Sequence, residues 1–545
     1  MPLDPAFEAI KTAEPVTWPQ VPFDVPPPPR EGSRVEYDIA AEIDVLIPMR
    51  DGVRLSADVF RPSAPGRRFP ALIAVSPYTR QLQRTSIVDG QNEAGITAFW
   101  VPRGYVHVLV DVRGTNESDG DWDHMGPTER QDLFDMIEWA AAQPWCDGNV
   151  GMTGESYYAW SQLMAAAEQP PHLRAIFPQS AAVDLYRERY MHGGIFQRGV
   201  GCWFYVVKEL NGRKADLRGV GRHQRTIMGI EEPFDGPYYQ DRLSWPRLSR
   251  VDVPTYLAGS WRHVGSHLRG AFEAWGGIAS ASKRMLIGPT PSPRKPMGAY
   301  HGEALRWYDH HLKGLDTGVM DGPPIQLWIP GLERWRSEWE WPLARTDWQQ
   351  LHLGHGSAGR GTLTRDVPPD GSAAYDYDPA SGEAYRGGPS LAYRTAPFDE
   401  DTEVTGPLAL ELWASSSARD TDWFVSVGDE DPDGRVRSLT NGWLRASHRA
   451  LDAARSRPWQ PFHPHLAAEP LVPGEATAFS IEVWPTSNVL RPGHRLRLEI
   501  ASCDDQAHLG DAHTALAIPA RNTILEGRAH PSRLLVPVIP KERAR

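Results

Sequence analysis

Apolar runs alternate with amphipathic segments through the first 320 residues of the chain. Residues 70–75 and 105–110 are almost continuous apolar runs, a pattern typical of parallel strands that are covered on both faces. Residues 128–142 carry apolar side chains at helical spacing, which places Asp132 on the exposed side of the predicted helix. The turn Arg50-Asp51-Gly52 separates two alternating runs and predicts a hairpin. Strands and helices in this order predict a βαβ sheet.

The pattern changes twice along the chain. It loosens between about residues 184 and 250, where aromatic clusters and short helical pieces indicate an insertion over a site. Beyond Pro323 the helical spacing almost disappears, and short alternating strands are separated by Gly and Pro turns. The prediction is an extended arm over 1–35, an α/β domain over 36–184 and 250–320, a helical cap over 185–249, and an all-β jelly-roll sandwich over 321–545.

Composition narrows the function mainly by exclusion. The 545 residues carry a formal net charge of −12 with no basic cluster, which argues against a nucleic-acid partner. No apolar run approaches the roughly 20 residues of a membrane span, and the N-terminal segment lacks the apolar stretch of a signal peptide. Cys146, Cys202 and Cys503 lie far apart and form no disulfide or metal pattern, as expected in a reducing cytoplasm. No phosphate loop, dinucleotide fingerprint or metal-ligand cluster is recognisable, so neither cofactor nor metal is expected.

Residues 150–159 read as a short strand, a tight turn and the start of a helix, with Ser156 at the turn. Such a turn exposes a serine hydroxyl and directs the N–H of Tyr157 towards the same site. The general motif is Gly-x-Ser-x-Gly, and here Tyr158 replaces the second glycine. Ser156 is therefore the candidate nucleophile, with a buried or helix-capping serine as the alternative.

Several segments resemble one known family, in the same order along the chain. They are Asp111-Val112-Arg113-Gly114, Gln143-Pro144-Trp145-Cys146-Asp147-Gly148, Tyr308-Asp309-His310-His311-Leu312-Lys313-Gly314, Gly442-Trp443-Leu444-Arg445-Ala446-Ser447-His448, and Arg491-Pro492-Gly493-His494. These segments resemble the CocE/NonD family of α/β-hydrolases, which contains cocaine esterase and X-Pro dipeptidyl-peptidase. The resemblance implies an α/β-hydrolase with a C-terminal jelly roll.

The same resemblance assigns roles to three residues. It implies that Ser156 is the nucleophile, and that the hydroxyl of Tyr78 shares the oxyanion hole with the N–H of Tyr157. A phenol and a backbone N–H can both donate to a developing alkoxide. The alternative for Tyr78 is an aromatic residue of the pocket wall.

Three positions depart from the family pattern. The segment Gly259-Ser260-Trp261-Arg262-His263 has His263 where the family has its acid, and Ser292 stands where the family has histidine. Glu155 precedes the nucleophile, where the family has an apolar residue.

These departures leave three hypotheses open. The triad is rebuilt, with His263 as base and Glu155 orienting it; or His263 runs other chemistry, such as a lyase or cyclisation step; or the pocket only binds. Structural roles remain the alternative for both residues, and His301 is the reserve candidate for the base. The expected reaction is hydrolysis of a small-molecule ester or amide through an acyl-Ser156 intermediate. Homo-oligomerisation stays open.

Overall fold

The structure is a computed structural model that describes residues 31–84, 93–199, 201, 230–262, 264–289, 297–355, 361–381, 388–504 and 512–541. Its α-helices are α1 (Arg80–Gln83), α2 (Thr97–Trp100), α3 (Pro127–Ala141), α4 (Tyr157–Ala167), α5 (Pro237–Gln240), α6 (Leu268–Gly277) and α7 (Met297–Lys313). Shorter 3-10 helices span Val101–Arg103, Trp245–Arg250 and Ala446–His448, and one π-helix spans Tyr186–Tyr190. No α-helix within the described ranges combines the length and apolar character that crossing a bilayer requires.

One mixed sheet organises the first part of the chain. Its strands are β1 (Ile39–Pro48), β2 (Arg54–Pro62), β3 (Phe69–Ser76), β4 (Val106–Asp111), β5 (Cys146–Met152), β6 (Leu173–Ile176), β9 (Thr255–Ser260), β10 (Lys283–Gly288), β11 (Ile325–Ile329) and β12 (Arg334–Glu338). They lie in the order β1-β2-β4-β3-β5-β6-β9-β10-β11-β12. In this order, neighbouring strands pair in parallel from β4 through β3, β5, β6, β9 and β10 to β11. At one edge β2 pairs antiparallel with β1 and β4, and at the other β12 pairs antiparallel with β11.

Helices cover both faces of this sheet, which explains the continuous apolar runs. All eight residues of β3 are buried. Ile73 and Val75 belong to the core cluster that also contains Leu133 of α3 and Leu163 of α4. Leu72 belongs to the cluster on the opposite face, together with aromatic side chains of α2 and α7. Neither face of β3 needs polar residues, so the alternation of a half-exposed strand is absent.

A second, all-β unit follows. Its strands are β13 (Asp347–His355), β14 (Gly361–Thr364), β15 (Gly371–Tyr377), β16 (Ser390–Arg394), β17 (Thr402–Ser416), β18 (Asp422–Glu430), β19 (Val436–Arg445), β20 (Thr477–Leu490), β21 (Arg495–Ala501), β22 (Ala520–Glu526) and β23 (Arg533–Ile539). β23 pairs with both β13 and β17, so the sheet folds back on itself around an apolar core. The predicted fold class, an α/β unit followed by an all-β unit, is confirmed.

The limits of the predicted domains stay predictions, and the structure adds detail to them. β11 and β12 lie beyond residue 320 yet belong to the first sheet, because β11 pairs in parallel with β10. In the predicted cap, residues 202–229 are outside the described residues. The described parts contain α5, the π-helix, a 3-10 helix and the small hairpin β7 (Met191–His192) and β8 (Ile195–Phe196). At the end of the predicted arm, the Ser33 hydroxyl donates to Asp309 of α7 at 2.6 Å.

The predicted exposure of Asp132 on α3 is wrong. Asp132 is buried, and its carboxylate accepts hydrogen bonds of 2.6 and 2.8 Å from the guanidinium of Arg113. Arg113 also bonds Asp51 in the turn between β1 and β2. Helical spacing alone cannot distinguish an exposed carboxylate from one that is buried against a guanidinium.

A buried arginine links the two units. Arg269 of α6 lies 3.1 Å from Glu188 in the π-helix and 2.9 Å from Glu482 of β20. Glu273, one turn later on α6, is 3.4 Å from the same guanidinium. Only 3% of the Arg269 side chain is exposed, so these carboxylates replace its lost hydration.

Replacing this arginine tests the junction. We expect Arg269→Ala to lower the free energy of unfolding by about 3–5 kcal/mol, because it leaves the carboxylates of Glu188 and Glu482 without their buried cation. Urea unfolding followed by tryptophan fluorescence measures the change. The control is Arg435→Ala, since Arg435 pairs with Asp433 while 79% of its side chain is exposed, and its midpoint should hardly move. Equal midpoints for the two variants would contradict a stabilising role of this network.

Candidate active site

Ser156 stands at the sharp turn between β5 and α4, with φ 61° and ψ −119°. A non-glycine residue in such a conformation costs about 1–3 kcal/mol and persists only where its surroundings hold it. Two backbone hydrogen bonds provide that hold. The N–H of Ser156 donates to Gln179 at 3.0 Å, and the N–H of Glu155 donates to Glu93 at 2.8 Å. The predicted strand–serine–helix turn is therefore the local geometry of this chain.

Gly154 makes this turn sterically accessible. Its φ is +126°, and a Cβ at this position would lie 2.4 Å from Cβ of Tyr158 and 2.9 Å from the carbonyl oxygen of Glu93. Gln162, one turn into α4, donates through its side-chain amide to the Gly154 carbonyl at 3.1 Å. The same amide accepts the N–H of Phe177 at 2.9 Å and so connects the turn to the chain after β6.

Tyr78 follows the carboxyl end of β3, on the same side of the parallel strands as Ser156 at the end of β5. Its ring centroid lies 6.1 Å from that of Tyr157 and 6.2 Å from that of Tyr158, in edge-to-face contact with both. Its N–H donates to Ser76 at 3.0 Å, which fixes the start of the loop. The structure thus brings Tyr78, Ser156 and Tyr157 into one region, as the resemblance implied; their catalytic roles stay predictions.

A buried ion cluster lies directly behind the Tyr78 loop. Arg80, with 1% of its side chain exposed, bonds Asp111 at the end of β4 and Asp44 in β1, and lies 3.2 Å from Asp58 in β2. Burial raises the pKa of Asp111 to about 6, and the guanidinium of Arg80 opposes this rise. The side-chain amide of Asn116 donates to the carbonyl of Pro77 at 3.2 Å and to Asp111 at 3.1 Å. The residue before Tyr78 is therefore tied to the same cluster.

The hydroxyl of Tyr157 points away from the turn into a buried polar group. It lies 2.8 and 3.0 Å from the two carboxyl oxygens of Glu129 on α3. The indole N–H of Trp122 donates to it at 3.3 Å, and the N–H of Met125 donates to Glu129 at 3.0 Å. Burial raises the pKa of Glu129 to about 8 and that of Tyr157 well above its ordinary value. Both side chains therefore carry their protons at neutral pH.

An imidazole that sequence reasoning did not select lies beside this group. Nε2 of His124 is 2.9 Å from the hydroxyl of Tyr190. Its ring centroid is 5.2 Å from Trp122 and 5.9 Å from Tyr157. Aromatic rings thus surround the Tyr157 side chain, and its hydroxyl contacts polar atoms of Glu129 and Trp122.

The side chain of Glu155 contacts the segment that follows β6. It is 1% exposed, and its carboxylate accepts a hydrogen bond of 3.0 Å from the Ser180 hydroxyl. The N–H of Ser180 donates to Ala258 of β9 at 2.8 Å. Glu155 is therefore connected through Ser180 to β9, the strand that ends at Ser260.

Of the two candidate bases, His301 lies among the described residues and His263 does not. His263 and Ser292 lie outside the described residues, so their positions stay predictions. His301 is buried on α7, where its Nε2 accepts the N–H of Ile96 at 3.3 Å and its ring packs on Phe99. The lone pair of that nitrogen is engaged by a backbone donor, which favours a structural role for this histidine.

Comparison with known proteins agrees with this geometry. Residues 51–291 match the X-Pro dipeptidyl-peptidase (S15) family, and residues 317–535 match the X-Pro dipeptidyl-peptidase C-terminal non-catalytic domain. The chain is 28% identical to cocaine esterase from Rhodococcus sp. over 594 aligned positions, which cover 93% of this chain and 99% of that one. The chain belongs to the CocE/NonD X-Pro dipeptidyl-peptidase family of α/β-hydrolases.

Solved structures support the same assignment. A CocE/NonD family hydrolase from Staphylococcus aureus superposes with a TM-score of 0.80 at 26% identity, covering 92% of this chain and 94% of that chain. An aminopeptidase from a marine sediment Thaumarchaeota archaeon, at 20% identity and a TM-score of 0.75 over 95% of this chain and 99% of that chain, shows the fold alone. The relatives of this CocE/NonD protein support an enzyme with activity of the serine-hydrolase type.

The contacts around the Tyr157 side chain of this CocE/NonD protein were not predicted from the sequence. They involve Glu129, Trp122 and His124, and Tyr190 bonds His124. Glu129 carried one usable signal: it follows Pro127 in the first turn of α3, where an acidic residue is favourable. That position gives a carboxylate a helix-terminal role by default, and nothing in the spacing indicates a tyrosine partner 28 residues later.

The steric requirement at Gly154 is testable. We expect Gly154→Ala to destabilise the protein by about 1–3 kcal/mol more than Gly148→Ala, because the new Cβ would overlap Tyr158 and the backbone of Glu93. Gly148 is the matched control: its φ is +91°, but nothing lies within 4 Å of an added Cβ. Thermal unfolding of both variants measures the difference. Equal losses would mean that the turn can relax around the methyl group.

Proposed function

We propose that this protein hydrolyses an ester or amide bond of a small molecule through a covalent acyl-Ser156 intermediate. The strained backbone of Ser156 between β5 and α4 carries the proposal, since such a turn presents a serine hydroxyl at the edge of the sheet. In the first step the hydroxyl oxygen adds to the substrate carbonyl carbon while its proton passes to a base. The leaving group departs with that proton, and water then hydrolyses the acyl-enzyme.

Two donors are proposed for the oxyanion: the hydroxyl of Tyr78 and the N–H of Tyr157. The N–H of Tyr157 is at the first position of α4, where a helix offers no internal acceptor. The edge-to-face contact between the two tyrosine rings keeps the Tyr78 loop beside this helix end. Preorganised donors of this kind stabilise the charge that develops on the carbonyl oxygen.

His263 is the proposed base, with Glu155 as the residue that orients it. The support is indirect and comes from Glu155, whose buried carboxylate is bonded to Ser180 next to β9. A carboxylate at that position lies towards the loop that begins at Trp261. The engaged lone pair of His301 makes that residue the weaker candidate.

The substrate, apart from its class, stays open. The cytoplasmic location and the absence of cofactor, nucleic-acid and membrane partners also stay predictions, and homo-oligomerisation stays a possibility. A lyase, a cyclase or a binding protein on the same scaffold is the alternative, since Ser292 stands where the family has histidine.

Labelling by a fluorophosphonate probe tests the nucleophile. Wild-type protein should react covalently at Ser156, and Ser156→Ala should abolish the label because it removes the attacking oxygen. Ser161→Ala serves as the control, since the Ser161 hydroxyl is buried on α4 and bonds the carbonyls of Val75 and Tyr158. Wild-type protein that shows neither labelling nor turnover on ester and amide panels would favour the non-hydrolytic alternatives.

The assignment of the base is tested separately. His263→Ala should lower turnover by roughly 100-fold or more, the usual effect of losing a general base. In wild-type protein the rate should rise with pH through an imidazole-like pKa near roughly 6.5, and this rise should be absent from the variant. His301→Gln is the comparison: if it, rather than His263→Ala, removes the rise, His301 is the base.

A further inference from the structure

We propose that Glu129 is a positioning residue of the oxyanion site: it fixes Tyr157, and with it the N–H beside Ser156, through hydrogen bonds to the Tyr157 hydroxyl. This inference rests on the proposed function, in which that N–H is an oxyanion donor. Glu129 does not touch the reacting atoms and acts only through Tyr157.

The far end of the Tyr157 side chain is anchored from several sides. Both carboxyl oxygens of Glu129 lie within 3.0 Å of the hydroxyl, and Trp122 donates to it. The ring is fully buried and packs against Tyr78 and Trp160, at centroid distances of 6.1 and 5.7 Å. Because Tyr157 is the first residue of α4, rotation of this helix end about its axis would break the contact with Glu129.

Glu129 is itself held in place and kept uncharged. Its Oε2 accepts the N–H of Met125 at 3.0 Å. The side chain is buried, and burial is the main reason why its pKa rises to about 8. The hydrogen bonds from Tyr157 and Met125 lower the pKa, but burial outweighs them, so the acid is protonated at neutral pH.

Two aspartates affect the pKa of Glu129, and each of them is paired with an arginine. Asp123 and Asp132 both raise its pKa. Asp123 is paired with Arg242 at 2.9 Å, and Asp132 is paired with Arg113 at 2.6 Å. From α4 the facing group is the Tyr157 hydroxyl, and the ring of His124 faces the Tyr157 ring from the same pocket.

The protonated form of Glu129 is the one that suits catalysis. An uncharged acid anchors Tyr157 without placing negative charge near the oxyanion. Above a pH of about 8 the side chain ionises, and a carboxylate one tyrosine away disfavours the second negative charge that forms in the reaction. The rate of reaction at Ser156 should therefore fall as pH rises through this value.

The pH dependence of the labelling rate tests this inference. We measure the second-order rate constant for fluorophosphonate labelling of Ser156 between pH 6 and 10 in the full-length protein. Wild-type protein should lose about tenfold in rate across the alkaline limb. Glu129→Gln, which keeps a hydrogen-bonding amide but cannot ionise, should lose the limb and stay within a few-fold of wild type at pH 7. Glu138→Gln, on the same helix and bonded to His172, is the control that should retain the limb.

A second arm tests the route through Tyr157. Glu129→Ala should slow labelling at pH 7 by roughly 10- to 100-fold, and this loss should shrink when Tyr157→Phe is already present, because the two residues act through one contact. An alkaline limb that persists in Glu129→Gln, or a Glu129→Ala effect that is undiminished beside Tyr157→Phe, overturns the inference alone. Absence of labelling from wild-type protein overturns the proposed function, and the positioning role with it.

Discussion

The candidate site depends on one backbone constraint, the left-handed conformation of Ser156. Residues 153–156 connect β5 to α4, and both Gly154 and Ser156 in this connection have a positive φ. Segments outside the strands supply the restraint, because the N–H groups of Glu155 and Ser156 donate to the carbonyls of Glu93 and Gln179. Gly154 supplies the space. The conformation therefore depends on several segments that meet at the carboxyl end of β5. The turn is buried, and long-range contacts hold it.

The sequence predicted the features that depend on local pattern. The apolar runs of β3 and β4 predict covered parallel strands, and the order of turn and helix around Ser156 predicts the nucleophile turn. The sequence pattern did not predict which residues pair across long distances in the chain. Asp132 and Glu129 have the spacing of an exposed helix face, yet both are buried, because their partners Arg113 and Tyr157 come from other elements. Likewise, β11 and β12 read as the start of the all-β unit, since an edge pairing leaves no local signature.

The site and the domain junction handle buried charge in different ways. Beside Tyr157 the acid of Glu129 bonds an uncharged hydroxyl, and burial keeps its proton in place. At the junction burial raises the pKa of Glu188, and the guanidinium of Arg269, 3.1 Å away in the same unit, lowers it. The same guanidinium lies 2.9 Å from Glu482 of the all-β unit. The first arrangement avoids charge near the proposed reaction, whereas the second uses charge to hold two units together. In both places the partner of the carboxyl group, a tyrosine hydroxyl or a guanidinium, determines its structural role.

The ion cluster around Arg80 has a consequence for how far the enzyme could be shortened. A fragment that begins at β3 would keep Tyr78, Ser156 and every other residue of the proposed chemistry. It would lose Asp44 and Asp58, however, because these carboxylates belong to the edge hairpin. Of its three carboxylate partners among the described residues, the guanidinium of Arg80 would then keep Asp111. Arg80 itself follows Tyr78 by two residues. The smallest unit that retains a fixed Tyr78 loop therefore includes the N-terminal hairpin, although that hairpin contributes nothing to the reaction itself.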